Sequence, residues 1–176
     1  MGFGRSTAWT ILNTVAGLLF GVLLEVPGLA LAGETGPAPA TAPSISPNAL
    51  AFVQDRHLGE SLGWLGYQVA SRTVTFTTLV ETVGRTKAQE IVQDELQYLQ
   101  PQYQQEWDRN LAAAYAASFT PEELTALDIG NPPPDIANKF RAKQRDVGMD
   151  MKGRSSELLK VYVSTALDNA LKKAKP

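Results

Sequence analysis

The side chains that could carry out catalysis are few, and His57 is the single histidine of the chain. A nucleophilic triad requires a histidine next to a serine or cysteine and an orienting acid. The chain contains no cysteine and no Gly-x-Ser-x-Gly motif, and the three or four clustered ligands that zinc needs do not surround this histidine. His57 follows the polar run 54–56, so we interpret it as a surface residue near a helix end.

Two carboxylates, Glu106 and Asp108, flank Trp107. A pair of carboxyl groups, one with a raised pKa, is the signature of glycoside hydrolysis. Residues two apart on a helix point in different directions, however, so this spacing argues against a shared catalytic cleft. A cell-wall glycan hydrolase is therefore the least favoured of three functional hypotheses, and we predict no catalytic residues.

An acidic patch consists of Glu90, Asp94 and Glu95, of which the first two are one helical turn apart. A hard cation could lie between such carboxylates. Calcium, however, takes about six to eight oxygen ligands, usually from a loop that is turned by a glycine. The patch is better explained as a solvated helix face, and the sequence predicts neither a metal site nor a cofactor.

A basic stretch near the C-terminus contains Lys139, Arg141, Lys143, Arg145, Lys152 and Arg154. Asp146 and Asp150 dilute its charge, which favours a solvated helix face with ion pairs along the helix. The alternative is contact with anionic lipid head groups or with another polymer of the cell envelope. No aromatic residues alternate with the basic ones, so we predict no nucleic-acid partner.

An aromatic stripe is the strongest candidate for a binding surface. It consists of Tyr103, Trp107, Leu111, Tyr115 and Phe119, which recur at intervals of four and so lie on one side of a helix. Aromatic residues at helical spacing usually belong to the core. The alternative is an apolar groove for a ligand or a partner helix, lined by Tyr103, Trp107, Tyr115 and Phe119 and rimmed by Trp64 and Tyr67.

The first 32 residues have the pattern of a secretory signal peptide. Arg5 gives a positive start, an apolar run covers 9–24, and Ala30-Leu31-Ala32 is a small-x-small cleavage site. We therefore predict a periplasmic protein that is cleaved after Ala32; the alternative is an uncleaved N-terminal anchor. No second run of about 18 apolar residues follows, so we expect no stable membrane insertion after cleavage.

Residues 33–47 form a predicted flexible linker, because prolines alternate with alanine, threonine and serine and leave little apolar area to bury. Residues 48–176 form a predicted helical domain, long enough for a core without disulfide bonds, and Asn48 is expected to cap its first helix.

The formal net charge of −2 indicates no strong electrostatic partner. The absence of cysteine excludes a lipid anchor on an N-terminal cysteine.

The hydrophobic pattern of the domain is helical. One helical face is formed by Leu62, Leu65, Val69, Phe76, Val80 and Val83. Within this segment, 72–78 alternates β-branched residues as a strand does, but we expect the helical phase to prevail because propensity is weak against packing. Further helices are predicted over about 86–99 and over about 135–174, the second with an interruption at a glycine. Pro101 is predicted either to begin a new helix or to kink the preceding one.

A helix start is encoded by Thr120-Pro121-Glu122-Glu123. The Thr120 hydroxyl can accept a hydrogen bond from the Glu123 amide, and the Glu123 carboxylate can accept one from the Thr120 amide. Proline suits the first helical position, where its missing N–H needs no partner. Three prolines at 132–134 then separate this short helix from the last one. The predicted fold class is therefore all-α, a bundle of about five to six helices.

The segment from Trp107 to Leu127 resembles a family of bacterial exported proteins known as domain of unknown function 2059. The shared pattern is an aromatic helix that runs into Phe119-Thr120, then two acids and two leucines. The resemblance implies a small helical protein of the Gram-negative periplasm and no established reaction. The chain departs from the family at 128–134, where a proline is kept but an aromatic pair and a glycine–lysine step are absent.

These features favour a non-enzymatic binding or interaction module of the cell envelope. Its binding surface is expected between the aromatic helix and the C-terminal helix, with an envelope protein as its partner. The alternative is a carrier that holds a small apolar molecule or a lipid in a pocket inside the bundle. The sequence leaves the identity of the ligand or partner and the oligomeric state open.

Overall fold

Six α-helices and one short 3₁₀ helix make up residues 46–175, the part of the chain that the computed structural model describes. The helices are α1 (Pro47–Asp55), α2 (Leu62–Ala70), α3 (Val74–Val83), α4 (Arg85–Ala116), α5 (Pro121–Ile129) and α6 (Pro134–Ala174), and the 3₁₀ helix is Leu58–Ser61. No strand occurs in this range, which confirms the predicted all-α bundle. The predicted signal peptide and the linker up to residue 45 lie outside the described residues.

The first helix begins two residues earlier than the sequence suggested. Ser46 is the N-cap and Pro47 is the first helical residue, so the predicted linker gives way to helix at its last position. Proline is favoured there because its missing N–H would have no helical partner in any case. Asn48, the predicted cap, instead donates from Nδ2 to the Thr125 hydroxyl of α5 over 3.0 Å.

The helical phase prevails over the strand-like pattern between 62 and 83, although it does so as two helices. α2 ends at Ala70, and a turn over 71–73 leads into α3. Thr73 is the N-cap of α3, and its hydroxyl accepts from the Phe76 amide over 3.2 Å. Three further threonines of α3 donate to carbonyls of the preceding turn. Their hydroxyl groups thus have hydrogen-bond partners within the helix.

α4 runs without interruption through Pro101, where the sequence predicted a helix start or a kink. A proline inside a helix removes the amide that would bond to the carbonyl four residues earlier, here Gln97. Both residues are exposed, so water can reach that carbonyl. On the inner side of α4, the Tyr162 hydroxyl donates to the Leu96 carbonyl over 2.7 Å and ties α6 to this turn.

α4 and α6 form the most extensive interface of the bundle and run antiparallel. As residue numbers increase along α4, the numbers of the contacting residues on α6 decrease. The pairs are Glu95–Lys173, Tyr103–Tyr162, Asn110–Arg154 and Tyr115–Phe140. α6 continues through the glycines at which an interruption was predicted, and it contributes twelve buried residues. None of the described helices has the length and apolar character needed to cross a bilayer.

The short helices cover the two long ones. α1 packs on α4 and α5, whereas α2 and α3 each contact both α4 and α6. α2 comes particularly close at Gly66, where an added Cβ would lie 2.7 Å from Tyr162 Cε1 and 3.0 Å from Leu96 Cδ2. The missing side chain therefore allows three helices to meet at this point.

Both ends of α5 are capped by side chains. The predicted capping box is present, because the Glu123 amide donates to Thr120 Oγ1 over 3.3 Å and the Thr120 amide donates to Glu123 Oε2 over 2.9 Å. At the other end, Arg56 Nη2 donates to the Leu127 carbonyl over 2.7 Å and also to the Asp128 carbonyl. Arg56 thus supplies a partner for the Asp128 carbonyl and a second partner for the Leu127 carbonyl, which also accepts from the Gly130 amide over 3.2 Å.

Candidate functional site

The aromatic stripe faces inward. Trp107, Tyr115 and Phe119 are buried, with 4%, 2% and 5% of their surface exposed, and Tyr103 is partly buried. The interpretation as core residues matches this burial. The ligand or partner surface predicted from these four side chains is not open in the described structure, because neighbouring helices pack against them.

Four aromatic rings pack together at the C-terminal end of the stripe. Tyr115 stacks on Phe140 with ring centroids 6.2 Å apart and meets Phe52 edge-on at 5.1 Å. Phe119 lies 5.9 Å from Phe140. Burial raises the pKa of Tyr115, and a hydrogen bond with Gln144 partly opposes the shift. The cluster joins α1, α4 and α6, so packing accounts for these aromatic residues.

The two predicted rim residues differ in their surroundings. Trp64 is 50% exposed, whereas Tyr67 is partly buried and meets Phe76 edge-on with centroids 6.2 Å apart. Tyr103 packs on Tyr162 with centroids 5.2 Å apart. Burial raises the pKa of Tyr162 to about 12.

Glu106 and Asp108 do not form a catalytic pair. Glu106 is exposed, whereas Asp108 accepts from Gln104 Nε2 over 2.8 Å, and the same amide donates to the Gly59 carbonyl over 2.9 Å. Burial raises the pKa of Asp108, and the Gln104 hydrogen bond opposes the shift. Asp108 therefore helps to hold the 3₁₀ helix on α4, and these separate surroundings argue against the hydrolase hypothesis.

His57 lies at the surface between α1 and the 3₁₀ helix, in a left-handed conformation with φ of 54°. Its Nδ1 lies 3.0 Å from Glu60 Oε1, and both side chains are largely exposed. This position matches the interpretation as a surface residue near a helix end.

The acidic patch separates in the structure. Glu90 is exposed and lies 3.3 Å from a lysine one turn earlier, Asp94 is exposed, and Glu95 is buried. Lys173 of α6 forms an ion pair with the Glu95 carboxylate, and this contact raises the pKa of Lys173. Within the described range, no group of three or more histidine, aspartate or glutamate side chains is arranged to hold a metal ion.

Much of the basic stretch is paired. Contacts along α6 join Lys143 to Asp146, Arg154 to Asp150 and Arg141 to Asn138, at 2.7, 2.9 and 2.7 Å. Lys139 instead reaches α5, where its Nζ lies 2.6 Å from Glu123 Oε2 and 5.3 Å from the centre of the Phe119 ring. The Lys139 contact, together with the Thr120 amide, lowers the pKa of Glu123. These contacts match the expected helix face with ion pairs.

A groove that the sequence did not predict lies between α6 and the corner where α2 meets α3. It has a volume of about 380 Å³, and we name it the α6 groove. Its apolar lining consists of Val69, Leu159, Val163 and Leu167, and its polar lining of Thr73, Thr75, Lys152, Ser156, Lys160, Ser164 and Asp168. The three apolar residues from α6 are buried, whereas its five polar ones are exposed, so the floor is apolar and one edge is polar.

The spacing of the residues on α6 explains the shape of the α6 groove. Leu159, Val163 and Leu167 form one row at intervals of four, and the polar residues from Lys152 to Asp168 form a second row at the same interval. Residues four apart lie above one another on a helix, so both rows follow the helix axis. These rows are visible in the sequence, but the opening beside them depends on where α2 and α3 pack.

A narrow crevice of about 20 Å³ adjoins one end of the α6 groove and shares Lys152, Ser156 and Leu159 with it. Trp107 and Ser155 are among its other lining residues. The Trp107 indole N–H is buried and has no hydrogen-bond partner among the described residues. Most buried donors in folded proteins have a partner, so this end of the α6 groove adjoins an unsatisfied donor.

Charge is distributed unevenly along the α6 groove. Lys152 lies at the end that adjoins the crevice, Lys160 lies at the middle, and Asp168 lies at the other end. Lys160 Nζ is 3.5 Å from Glu157 Oε1, and both side chains are about three-quarters exposed. Exposed pairs of this kind interact weakly. Both lysines of the lining thus lie between the crevice and the middle of the groove, and we call this half its positive end.

No family model, no curated protein and no solved structure matches this chain. The resemblance of 107–127 to domain of unknown function 2059 stays a prediction. The function has to be inferred from the geometry of the α6 groove and from the sequence patterns.

Proposed function

We propose that this chain is an exported, non-enzymatic binding protein of the cell envelope and that the α6 groove is its binding site for a small, largely apolar molecule. The α6 groove is the observation that carries the proposal. Its volume of about 380 Å³ falls within the range of roughly 300–1,000 Å³ that is typical of small-molecule sites. Such sites usually combine apolar surface with polar groups that orient the ligand, and the α6 groove combines an apolar floor with a polar edge.

A small ligand is favoured over an envelope protein as the partner. Stable protein interfaces bury roughly 800 Å² on each partner and have an apolar centre. The large apolar side chains that are exposed lie on five different helices; they are Trp64, Val74, Tyr98, Ile129, Met149 and Val161. Single exposed apolar residues are normal on protein surfaces, so the interaction module is the second hypothesis.

Export is supported by the signal-peptide pattern of residues 1–32. The resemblance of 107–127 to a family of exported proteins supports a periplasmic location in the same way. A carrier in that compartment fits the α6 groove, because apolar molecules need a protein partner to cross an aqueous space.

Native mass spectrometry of protein recovered from the periplasm tests the proposal. Ser164 is exposed and lines the α6 groove, so Ser164→Trp fills the groove without removing a core side chain. Val161→Trp is the matched control, because Val161 is exposed on the same helix and does not line the groove. We expect extra mass of small-molecule size in the wild type and the control and its loss in Ser164→Trp.

The same spectra give the start of the mature chain, which we expect at Gly33. A chain that still begins at Met1 would contradict cleavage. Bare chains in all three proteins would contradict the carrier function, and crosslinking in intact cells would then test the interaction module.

A further inference from the structure

We propose that the α6 groove selects a single-chain anionic amphiphile, with the chemistry of a fatty acid, and binds it with the anionic head at the Lys152 end. This inference rests on the function proposed above, and it adds the chemical class and the orientation of the ligand.

The length and width of the α6 groove indicate one linear chain. Lys152 and Asp168 are sixteen residues apart on α6, which corresponds to about 24 Å along a straight helix. The volume of about 380 Å³ is near the lower limit for small-molecule sites. A long site of small volume is narrow, so it fits one extended hydrocarbon chain better than a two-chain lipid or a compact ring system. Leu159, Val163 and Leu167 would contact that chain along its length.

The charges indicate an anionic head group and its position. Lys152 lines the α6 groove where it adjoins the crevice and Lys160 lines its middle, whereas Asp168 lines the opposite end. An anion is therefore attracted to the Lys152 end and repelled from the Asp168 end. A cationic head group would have the opposite preference, and an uncharged one would have none.

The crevice supplies a second, independent reason for placing the head group at the Lys152 end. The Trp107 side chain is 96% buried, and its indole N–H has no hydrogen-bond partner in the described part of the chain. The crevice volume of about 20 Å³ is enough for roughly one oxygen atom. A carboxylate has two oxygens, so one can enter the crevice beside Trp107 while the other faces Lys152, which lines both the crevice and the α6 groove.

Calorimetric titration of the exported protein with three probes of equal chain length tests the head-group preference. The probes are dodecanoate, dodecanol and dodecylamine, each kept below the concentration at which it forms micelles. We expect dodecanoate to bind about tenfold more tightly than dodecanol, because each lysine near a surface contributes up to about a factor of five. Dodecylamine should bind most weakly, and Ser164→Trp should abolish binding of all three.

Chain length tests the apolar floor. Decanoate has two methylene groups fewer than dodecanoate, and each buried methylene contributes about a factor of four to affinity. Decanoate should therefore bind about fifteenfold more weakly. Equal affinities would show that the hydrocarbon chain lies outside the α6 groove and would overturn the proposed orientation.

Charge-removing variants test the positive end. The double variant Lys152→Gln/Lys160→Gln should weaken dodecanoate binding about tenfold and leave dodecanol binding unchanged. Arg145→Gln/Lys172→Gln is the matched control, since it makes the same change in net charge at exposed positions outside the α6 groove. Equal effects of the two double variants would show that only overall charge matters and would overturn the inference.

The NMR signal of the Trp107 indole N–H can be measured in the wild-type chain, so this test does not depend on the folding of a variant. This signal should move downfield when dodecanoate is added, because the proton gains an acceptor, and the signal of exposed Trp64 should stay in place. Trp107→Phe should weaken dodecanoate binding several-fold, with Trp64→Phe as its control. An unmoved Trp107 signal at saturating dodecanoate would overturn the placement of the head group.

The outcomes separate this inference from the proposed function. A ligand that Ser164→Trp excludes, combined with equal affinity for dodecanoate and dodecanol, would leave the binding function in place and overturn the selection of an anion. Absence of any groove-dependent ligand in the native spectra, combined with absence of dodecanoate binding, would overturn both.

Discussion

Replacing Gly66 with alanine tests how closely α2 packs on the two long helices. The added Cβ would lie 2.7 Å from Tyr162 Cε1 and 3.0 Å from Leu96 Cδ2. Both distances are shorter than the roughly 3.5–4.0 Å at which carbon atoms attract one another. Tyr162 has no exposed surface, and its hydroxyl donates to the Leu96 carbonyl over 2.7 Å, so the ring has little room to move. The new methyl group must therefore displace α2.

The expected effect is the difference between two terms. Overpacking a core costs about 1–3 kcal/mol, and we take the upper end because the group that must move is buried and hydrogen-bonded. Alanine gains about 1 kcal/mol over glycine inside a helix. Gly66→Ala should therefore lower the free energy of unfolding by about 2 kcal/mol. At Gly153 of α6 no atom lies within 4 Å of the added Cβ, so Gly153→Ala should raise it by about 1 kcal/mol.

Urea unfolding, followed by far-ultraviolet circular dichroism, measures both variants. A lower free energy of unfolding for Gly66→Ala and a higher one for Gly153→Ala would support the close approach of α2. Equal stabilisation by the two alanines would refute the reasoning. A second test uses Tyr162→Leu, which removes the ring that the new methyl group meets. Gly66→Ala should then cost less than it does in the wild type, and an unchanged cost would show that the penalty arises elsewhere.

Three further changes address the caps of α5 and the contact between the long helices. Arg56→Gln removes the donor to the last carbonyls of α5, so urea unfolding should show a loss of about 1–3 kcal/mol, and an equal loss in exposed Arg109→Gln would contradict the capping role. The pKa of Glu123 is lowered in the folded chain, so its carboxylate stabilises the fold above its ordinary value of 4.5, and this contribution is lost as the pH falls through the folded pKa. Urea titrations across pH should therefore show Glu123→Gln destabilised at neutral pH and equal to the wild type in acid, and a Glu122→Gln control with the same profile would contradict the assignment. Tyr162→Phe removes the hydrogen bond to the α4 carbonyl and should lower the thermal stability by about 1 kcal/mol; an unchanged melting temperature would show that this bond contributes nothing net.

Features that depend on neighbouring residues could be predicted from the sequence. The capping box at Thr120 and Glu123 needs only two side chains three positions apart, and it is present as predicted. The helix at 74–83 could be predicted although its threonines favour a strand, because the helical spacing of apolar residues on both sides shows which face is covered.

Features that depend on distant residues could not be predicted in this way. The cap of α5 by Arg56 joins residues 71 positions apart, and nothing local to either residue indicates it. Pro101 is accommodated in an uninterrupted α4 because its side of the helix faces water, which only the packing of the bundle decides. The aromatic stripe could be assigned to one helix face, but whether a neighbouring helix covers that face depends on the whole fold.

The α6 groove could likewise be predicted from the sequence only in part. The two rows on α6 between Lys152 and Asp168 follow from the spacing of residues and are visible in the sequence. The α6 groove also needs Val69, Thr73 and Thr75 on its far side. These residues come from a corner between two helices whose position is set by contacts with both α4 and α6.

α6 completes the core, so the core can form only after this helix has been synthesised. The pair Glu95–Lys173 joins positions 78 residues apart, and the buried face of α6 extends to Ala170. Until that helix has been synthesised, the inner side of α4 has no partner and the contacts of highest sequence separation cannot form. The core of this bundle therefore closes only once both long helices are present.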